Sequence, residues 1–240
     1  MDILSRLGDS ESKEILARVL LFRVTFDIKL NQGIRSQYVD YLDEDIISLK
    51  GDEIIVDLGG YIGDTLLDFL EYFKERYIEF TGEYYLFEPI EELCHEASLV
   101  SSCSNIHYCN LCAGEENGMM AVKDSNLLGG FSSVNRMVKA DCGESAEAVI
   151  PMVRIDDFME GRKVSYLKMD IEGAEKSAIK GAQKLIKQHS PMLAVCLYHK
   201  YEDIRELFSL VDGLGDYNYY IRAQRNSVVT EYVMYAIPKG

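Results

Sequence analysis

Three carboxylates, Asp170, Glu172 and Glu175, fall within six residues of "VSYLKMDIEGAE", directly after an apolar run that reads as a buried strand. Carboxylates packed that closely are costly unless they bind something cationic, cap a helix or face water. Asp170 would stand at the strand end, and Gly173 lets the chain turn. Glu175 enters the first turn of the next helix, where a negative charge is favoured by roughly 0.3–1 kcal/mol. Helix capping accounts for Glu175 but not for Asp170. A divalent cation on Asp170 and Glu172 is the metal alternative, although no histidine adjoins them in the chain. His199, in "LYHK", ends the next apolar run, so adjacent strands would bring it to the same rim as Asp170. A neutral imidazole can take a proton from a hydroxyl near neutral pH, whereas an ordinary carboxylate is a poor acceptor for it. The other use of such a histidine is a structural hydrogen bond. Asp170, Glu172 and His199 are the candidate catalytic residues, with Tyr198 and Lys200 expected on the opposite face.

A second constellation lies in "EIIVDLGGYIGDTLLDF", residues 53–69, where apolar residues run into glycines and then into another apolar series. Gly59, Gly60 and Gly63 let the backbone turn sharply and approach a ligand, and the helix that follows offers unpaired N–H groups. The spacing lacks the first glycine of the dinucleotide fingerprint, and an acid, Asp57, sits at the strand end, which suits a cationic amine better than a pyrophosphate. A second acid, Glu88, ends the next strand, where this kind of sheet places an acceptor for ribose hydroxyls. An amine, a ribose and a base without phosphate describe S-adenosylmethionine, with Leu111 and Cys112 placed to flank the adenine. The plainer alternative is that the glycines only make a tight strand-to-helix turn. "CNLC", Cys109 to Cys112, with Cys94, His95, Cys103 and His107 nearby, invites a metal reading, but no second C-x-x-C completes a zinc site. Ser132 and Ser133 in "GGFSSV" could touch cofactor or substrate, or lie in a solvated loop.

These residues need a scaffold. Ile15, Val19, Phe22 and Phe26 recur at helical steps, and Asp43 to Leu49 reads as a short helix. Strands are expected at Ile54 to Val56, Glu83 to Phe87 and Asn105 to Ala113, with helices over Thr65 to Phe73 and Glu91 to Val100. Residues 114–147 read as loops with a hairpin. A strand at Val164 to Met169 leads into one helix from Ala174 to Ile186; then come a strand after Pro191, a helix over Glu202 to Leu210, and two late strands, "YNYYIRA" and "EYVMYAI". Alternating strands and helices imply a mostly parallel sheet covered on both faces, with an antiparallel strand at one edge and ligands beyond the carboxyl ends of the strands.

The chain of 240 residues is 48% hydrophobic, enough for one substantial core, and its formal charge of −15 would repel nucleic acid and anionic lipid at long range. No apolar run approaches the roughly 20 residues that span a bilayer. Six cysteines are too few for a disulfide framework, and with no export-like start they point to the cytoplasm.

Taken together, "VDLGGYIGDT", "LFEP", "RIDDF", "LKMDIEGAE" and "LAVCLYHK" resemble, in this order, the motifs of the FkbM-type family of S-adenosylmethionine-dependent methyltransferases, over about residues 37–237. The resemblance implies a Rossmann-like class I methyltransferase fold, a mostly parallel seven-stranded sheet with helices on both faces and the last strand antiparallel. It also implies O-methylation of a sugar or secondary-metabolite hydroxyl, with Asp57, Gly59, Gly60, Tyr61, Gly63, Thr65, Glu88, Leu111, Cys112 and Asp170 about the cofactor. One departure stands out: the family pattern puts a histidine after the arginine of the penultimate strand, and Ala223 follows Arg222 here. The expectation is therefore one methyltransferase domain over residues 1–240, with residues 1–36 a helical extension and partial lid. It would act on a small-molecule acceptor, such as a sugar or glycoconjugate, without nucleic acid, membrane insertion or a bound metal. The sequence does not decide between a monomer and a homo-oligomer. A nicotinamide-dependent oxidoreductase and a non-catalytic S-adenosylmethionine-binding module remain as the two rivals.

Overall fold

The computed structural model describes residues 2–122, 137–139, 148–224 and 231–239. Helix α1 (Ser10–Thr25) begins where the Asp9 carboxylate accepts from the Ser12 amide and ends at Phe26, in left-handed conformation. Its buried stripe is Ser12, Ile15, Leu16 and Val19. Phe26, expected on that face, lies past the helix end and is exposed.

After the turn at Gly51 come β1 (Ile54–Leu58), α2 (Asp64–Glu75), β2 (Glu83–Phe87), α3 (Glu91–Ala97) and β3 (Ile106–Cys109). Four short strands follow, β4 (Cys112–Ala113), β5 (Gly118–Val122), β6 (Met137–Lys139) and β7 (Ala148–Val153), and then the short helix α4 (Ile155–Phe158). The chain continues through β8 (Tyr166–Met169), α5 (Glu175–Gly181), α6 (Gln183–His189), β9 (Met192–Cys196), α7 (Asp203–Asp212), β10 (Tyr217–Ala223) and β11 (Tyr232–Pro238).

Seven strands form one sheet in the order β10-β11-β9-β8-β1-β2-β3. Alternate residues of β1 feed opposite cores, Val56 and Leu58 one and Ile55 the other, which is why, Asp57 apart, the strand is apolar on both faces. The chain leaves β1 toward β2 and β3 and returns to β8 and β9 on the other side. Such a reversal, here at β1 and β8, is where open sheets of this kind place their ligands, beyond the carboxyl ends of the strands. The antiparallel strand is β11, as expected, but it is inserted between β9 and β10 instead of forming an edge.

Several expectations change. The segment from Asp43 to Leu49 is a turn, not a helix: the Asp43 side chain accepts from the Asp45 amide, a local bond that competes with helical pairing. The expected strand from Asn105 to Ala113 breaks after Cys109, and β4 joins a second sheet of order β4-β7-β5-β6. The helix expected from Ala174 to Ile186 is two helices divided at Ala182, beside Gly181, where a Cβ would lie 1.8 Å from the Gly114 carbonyl oxygen. Among the described residues, no helix is long and apolar enough to cross a membrane.

The N-terminal extension contributes to the core. Leu7, Ile15, Leu16 and Val19 join the main apolar cluster, and Ser12 Oγ accepts from the Ile221 amide of β10. Arg222 clamps the arrangement: its Nε donates to Asp43 Oδ2 at 2.8 Å, Nη2 to Asp9 Oδ2 at 2.7 Å and Nη1 to Ser12 Oγ at 2.9 Å. Arg222→Ala would leave Asp43 buried without its counter-ion, and a loss of about 3–5 kcal/mol on chemical denaturation is expected. A loss below about 1 kcal/mol would show that the carboxylates find other partners.

Candidate active site

The turn after β1 is built by the protein's own contacts. The amides of Gly59 and Gly60 both donate to the Phe87 carbonyl, each at 3.0 Å, and Lys168 Nζ donates to the Gly59 carbonyl at 2.6 Å. Asp57, expected beside a ligand amine, is wholly buried; its Oδ1 pairs with Lys168 Nζ at 2.8 Å and its Oδ2 accepts from Tyr84 Oη at 2.8 Å. Burial alone would lower the pKa of Lys168, but Asp57 and Asp170 outweigh it and push the pKa up, so the ammonium stays charged. The cation that Asp57 suits is therefore Lys168, directly across the ladder in β8.

The glycines are also required by the protein's own packing. A Cβ on Gly59, whose φ is +86°, would sit 1.8 Å from the Asp170 carbonyl oxygen, and one on Gly60 would lie 2.1 Å from Leu86 Cγ. Gly63, with φ of +84°, is closed off by Val100 and Ala97. Gly59→Val is thus expected to fail at folding, by more than about 4 kcal/mol, before any ligand is involved. Normal melting of that variant would contradict the close approach. Thr65 is buried in the first turn of α2, while the Tyr61 ring is largely exposed and its backbone left-handed.

Glu88 follows β2 and turns its carboxylate back to this loop. Its Oε2 accepts from the Tyr61 amide at 3.0 Å and Oε1 from the Ile90 amide at 2.9 Å. Burial pushes its pKa up to about 7, against the two backbone donors and Lys168, which work to lower it. Each oxygen has lone pairs to spare, as an acceptor for two neighbouring hydroxyls requires. This donor–acceptor set fits the ribose of S-adenosylmethionine; the glycines fit a turn and leave the amine unassigned. Cys112 is buried, and burial together with Glu88 holds its thiol up at about 12. Leu111 is half-buried against the main core.

The "CNLC" residues separate, Cys109 ending β3 and Cys112 opening β4 in the other sheet. Burial also holds the Cys109 thiol up at about 12. The His107 ring stacks on Tyr85 with centroids 4.4 Å apart. Ser132 and Ser133 lie outside the described residues.

The acidic turn after β8 is the densest part of the site. Asp170 Oδ2 accepts from Tyr41 Oη at 2.7 Å and Oδ1 from Tyr198 Oη at 2.9 Å. Burial would raise its pKa, but Lys168, Tyr41, His199 and Tyr198 together hold it below the usual carboxylate range. Glu172 is left-handed, with φ of 54°, a conformation that a non-glycine residue keeps only where its surroundings hold it. Glu175 is fully buried, and its Oε1 accepts from the Ile171 amide at 3.0 Å and the Gly173 amide at 3.3 Å. The same oxygen lies 2.9 Å from His199 Nδ1. Helix position is therefore only part of its reason to be there. His199 Nε2 stands 3.4 Å from Asp170 Oδ1 and 3.5 Å from Glu172 Oε2. Burial works to lower the His199 pKa, but Glu175, Asp170 and Glu172 raise it above its usual value.

Asp170, Glu172 and His199 are thus brought together as expected. Tyr198, expected on the opposite face, joins them because β9 ends at Cys196 and the strand alternation stops there. Lys200 turns back as well, its Nζ donating to the Gly173 carbonyl. Among the described residues, no group of three or more histidine, cysteine or acidic side chains is arranged to hold a metal ion.

The methyltransferase FkbM domain family matches residues 57–221. Among solved structures, the chain is similar to the methyltransferase FkbM from Methylobacillus flagellatus KT, with a TM-score of 0.78 and 22% identity over 97% of this chain and 56% of that one. The chain thus spans little more than half that protein's length. More distant likenesses include an rRNA methylase from Streptococcus thermophilus, at a TM-score of 0.47 and 14% identity over 80% of this chain and 90% of the other. Another is the O-methyltransferase from Bacillus cereus in complex with SAH, at 0.47 and 9% over 96% and 91%. No curated protein matches the chain. The seven-stranded sheet with its inserted antiparallel strand is the class I methyltransferase fold.

Proposed function

The chain belongs to the methyltransferase FkbM domain family, and from that membership we propose that it moves a methyl group from S-adenosylmethionine to a hydroxyl of a sugar or another small metabolite. S-adenosylmethionine is the cofactor of this family and fold. When bound, it supplies a methyl group made electrophilic by its sulfonium. Glu88 would accept from the ribose hydroxyls, Leu111 and Cys112 would flank the adenine, and the turn holding Gly59, Gly60, Tyr61, Gly63 and Thr65 would complete the wall. The protein must then hold the acceptor oxygen in place, exclude water and remove the hydroxyl proton.

The observation that carries the reading is the pairing of His199 with Glu175 beside Asp170. A buried carboxylate oxygen lies 2.9 Å from Nδ1, so Nε2, itself buried and facing Asp170 and Glu172, is the atom that would take the proton. Asp170, ionised and already accepting hydrogen bonds from the Tyr41 and Tyr198 hydroxyls, orients the acceptor and does not deprotonate it. The test supplies S-adenosylmethionine carrying an isotope-labelled methyl group with a set of polyhydroxylated acceptors and follows the label by NMR. A new oxygen-bound methyl is expected. Label arriving on nitrogen or carbon, or no binding of S-adenosylmethionine by calorimetry, would sink the reading.

A further inference from the structure

Tyr41 sits in a turn, yet its hydroxyl reaches Asp170 at 2.7 Å across 129 residues of sequence. Its φ is 66°, and a left-handed backbone costs a residue with a side chain on the order of 1–2 kcal/mol. Such a conformation persists only where the surroundings over-determine it. They do so here: Tyr166 Oη donates to the Tyr41 carbonyl at 2.6 Å, and Lys168 Nζ lies 5.0 Å from the ring centroid. Buried Gln224, at the end of β10, donates from Nε2 to Tyr41 Oη at 2.5 Å.

The chemistry of these groups gives the chain a direction. An amide nitrogen can only donate, so Tyr41 Oη accepts from Gln224 and its own proton is left for Asp170. Turning the amide over would draw that proton to the Gln224 oxygen and set the Tyr41 lone pairs against a carboxylate, which is the worse arrangement. Burial, first, and Asp170, second, push the Tyr41 pKa up, so Tyr41 remains a donor. The charged or titratable groups about Asp170 are Lys168 from β8, Cys196 and His199 from β9 and its end, Glu172 from the following turn, and Glu231 before β11. The hydroxyl donors to its carboxylate are Tyr41 and Tyr198.

We propose that Gln224, Tyr41 and Tyr198 are positioning residues forming a one-way hydrogen-bond chain that keeps Asp170 ionised and fixed in orientation. The proposal rests on the active-site reading above only for its purpose, because Asp170 titrates whether or not the protein methylates anything. Its test is carboxyl-carbon NMR of Asp170 in the full chain without cofactor. Tyr41→Phe keeps the ring and removes one donor, and Asp170 is expected to hold its proton about tenfold more tightly, the scale of a lost hydrogen bond to a charged group. Gln224→Glu offers an acceptor in place of the donor, draws the Tyr41 proton away and adds a negative charge, so it is expected to tighten the Asp170 proton further than Tyr41→Phe does. The double variant should then match Gln224→Glu alone, since both changes break the same bond and only the glutamate adds charge. Tyr198→Phe, acting on the other oxygen, should add to either. An unmoved Asp170 in folded Tyr41→Phe, or simple additivity of Tyr41→Phe and Gln224→Glu, would overturn the one-way chain. Absence of any methylation by the wild type would defeat the functional reading and leave these titrations standing.

Discussion

Glu88→Gln is expected to weaken S-adenosylmethionine binding by about 1.5–3 kcal/mol, the scale of charge-assisted hydrogen bonds, because the ribose hydroxyls lose an ionised acceptor. The same variant should change how stability depends on pH. In the ligand-free fold Glu88 has a pKa of about 7 against an ordinary 4.5, raised by burial. The native state thus favours the protonated acid: the contribution is fully present below about 4.5 and is lost as pH rises through about 7. At pH 8 the ionised group costs the empty protein roughly 3 kcal/mol, and the glutamine variant should lack that slope. In acid the variant should be the less stable protein, because glutamine has one acceptor oxygen for the two amides of Tyr61 and Ile90. Ribose hydroxyls donate to the ionised form, so binding should release a proton below about pH 7 and tighten as pH rises. Calorimetry in buffers of different ionisation enthalpy measures that proton. Affinity that stays constant from about pH 5.5 to 8 would remove Glu88 from the cofactor site.

Much of this frame was legible because a parallel sheet covered on both faces demands apolar runs. Ile54 to Val56, Glu83 to Phe87 and Val164 to Met169 announce their strands, and the acids and histidine after them fall on one rim. What stayed hidden depends on contacts between remote segments. Asp57 looked like a ligand group because its partner, Lys168, lies 111 residues later; yet one unpaired acid and one unpaired base in two apolar strands were a signal that the strands pair in register. Tyr41 had no such mark. Its place is set by a left-handed turn and by Tyr166 and Gln224, none of which leaves a local pattern. The glycines were legible as a turn, but the protein atoms that close on each of them were not, since spacing cannot say which side of a turn the neighbouring backbone will occupy.

The base is where the largest effect on turnover is expected. Nδ1 of His199 lies 2.9 Å from Glu175 Oε1, and Nε2 faces Asp170 and Glu172 at 3.4 and 3.5 Å. Asp170 is a poor rival for the proton, because despite burial Lys168 and the tyrosines hold its pKa low. His199→Ala should lower kcat by about 10²-fold or more while leaving cofactor affinity within a few-fold, the pattern of an interaction made mainly in the transition state. His199→Gln, which keeps a polar partner for the buried Glu175, should lose as much and guards against a folding defect. With a neutral imidazole as the base, kcat should rise with pH through an apparent pKa above the ordinary 6.5 that the surrounding carboxylates raise. Glu175→Gln removes the first of those carboxylates and should move that rise to lower pH while reducing its plateau. Near-normal turnover in folded His199→Gln, together with loss in Asp170→Asn, would make the histidine structural and hand the proton to the carboxylate.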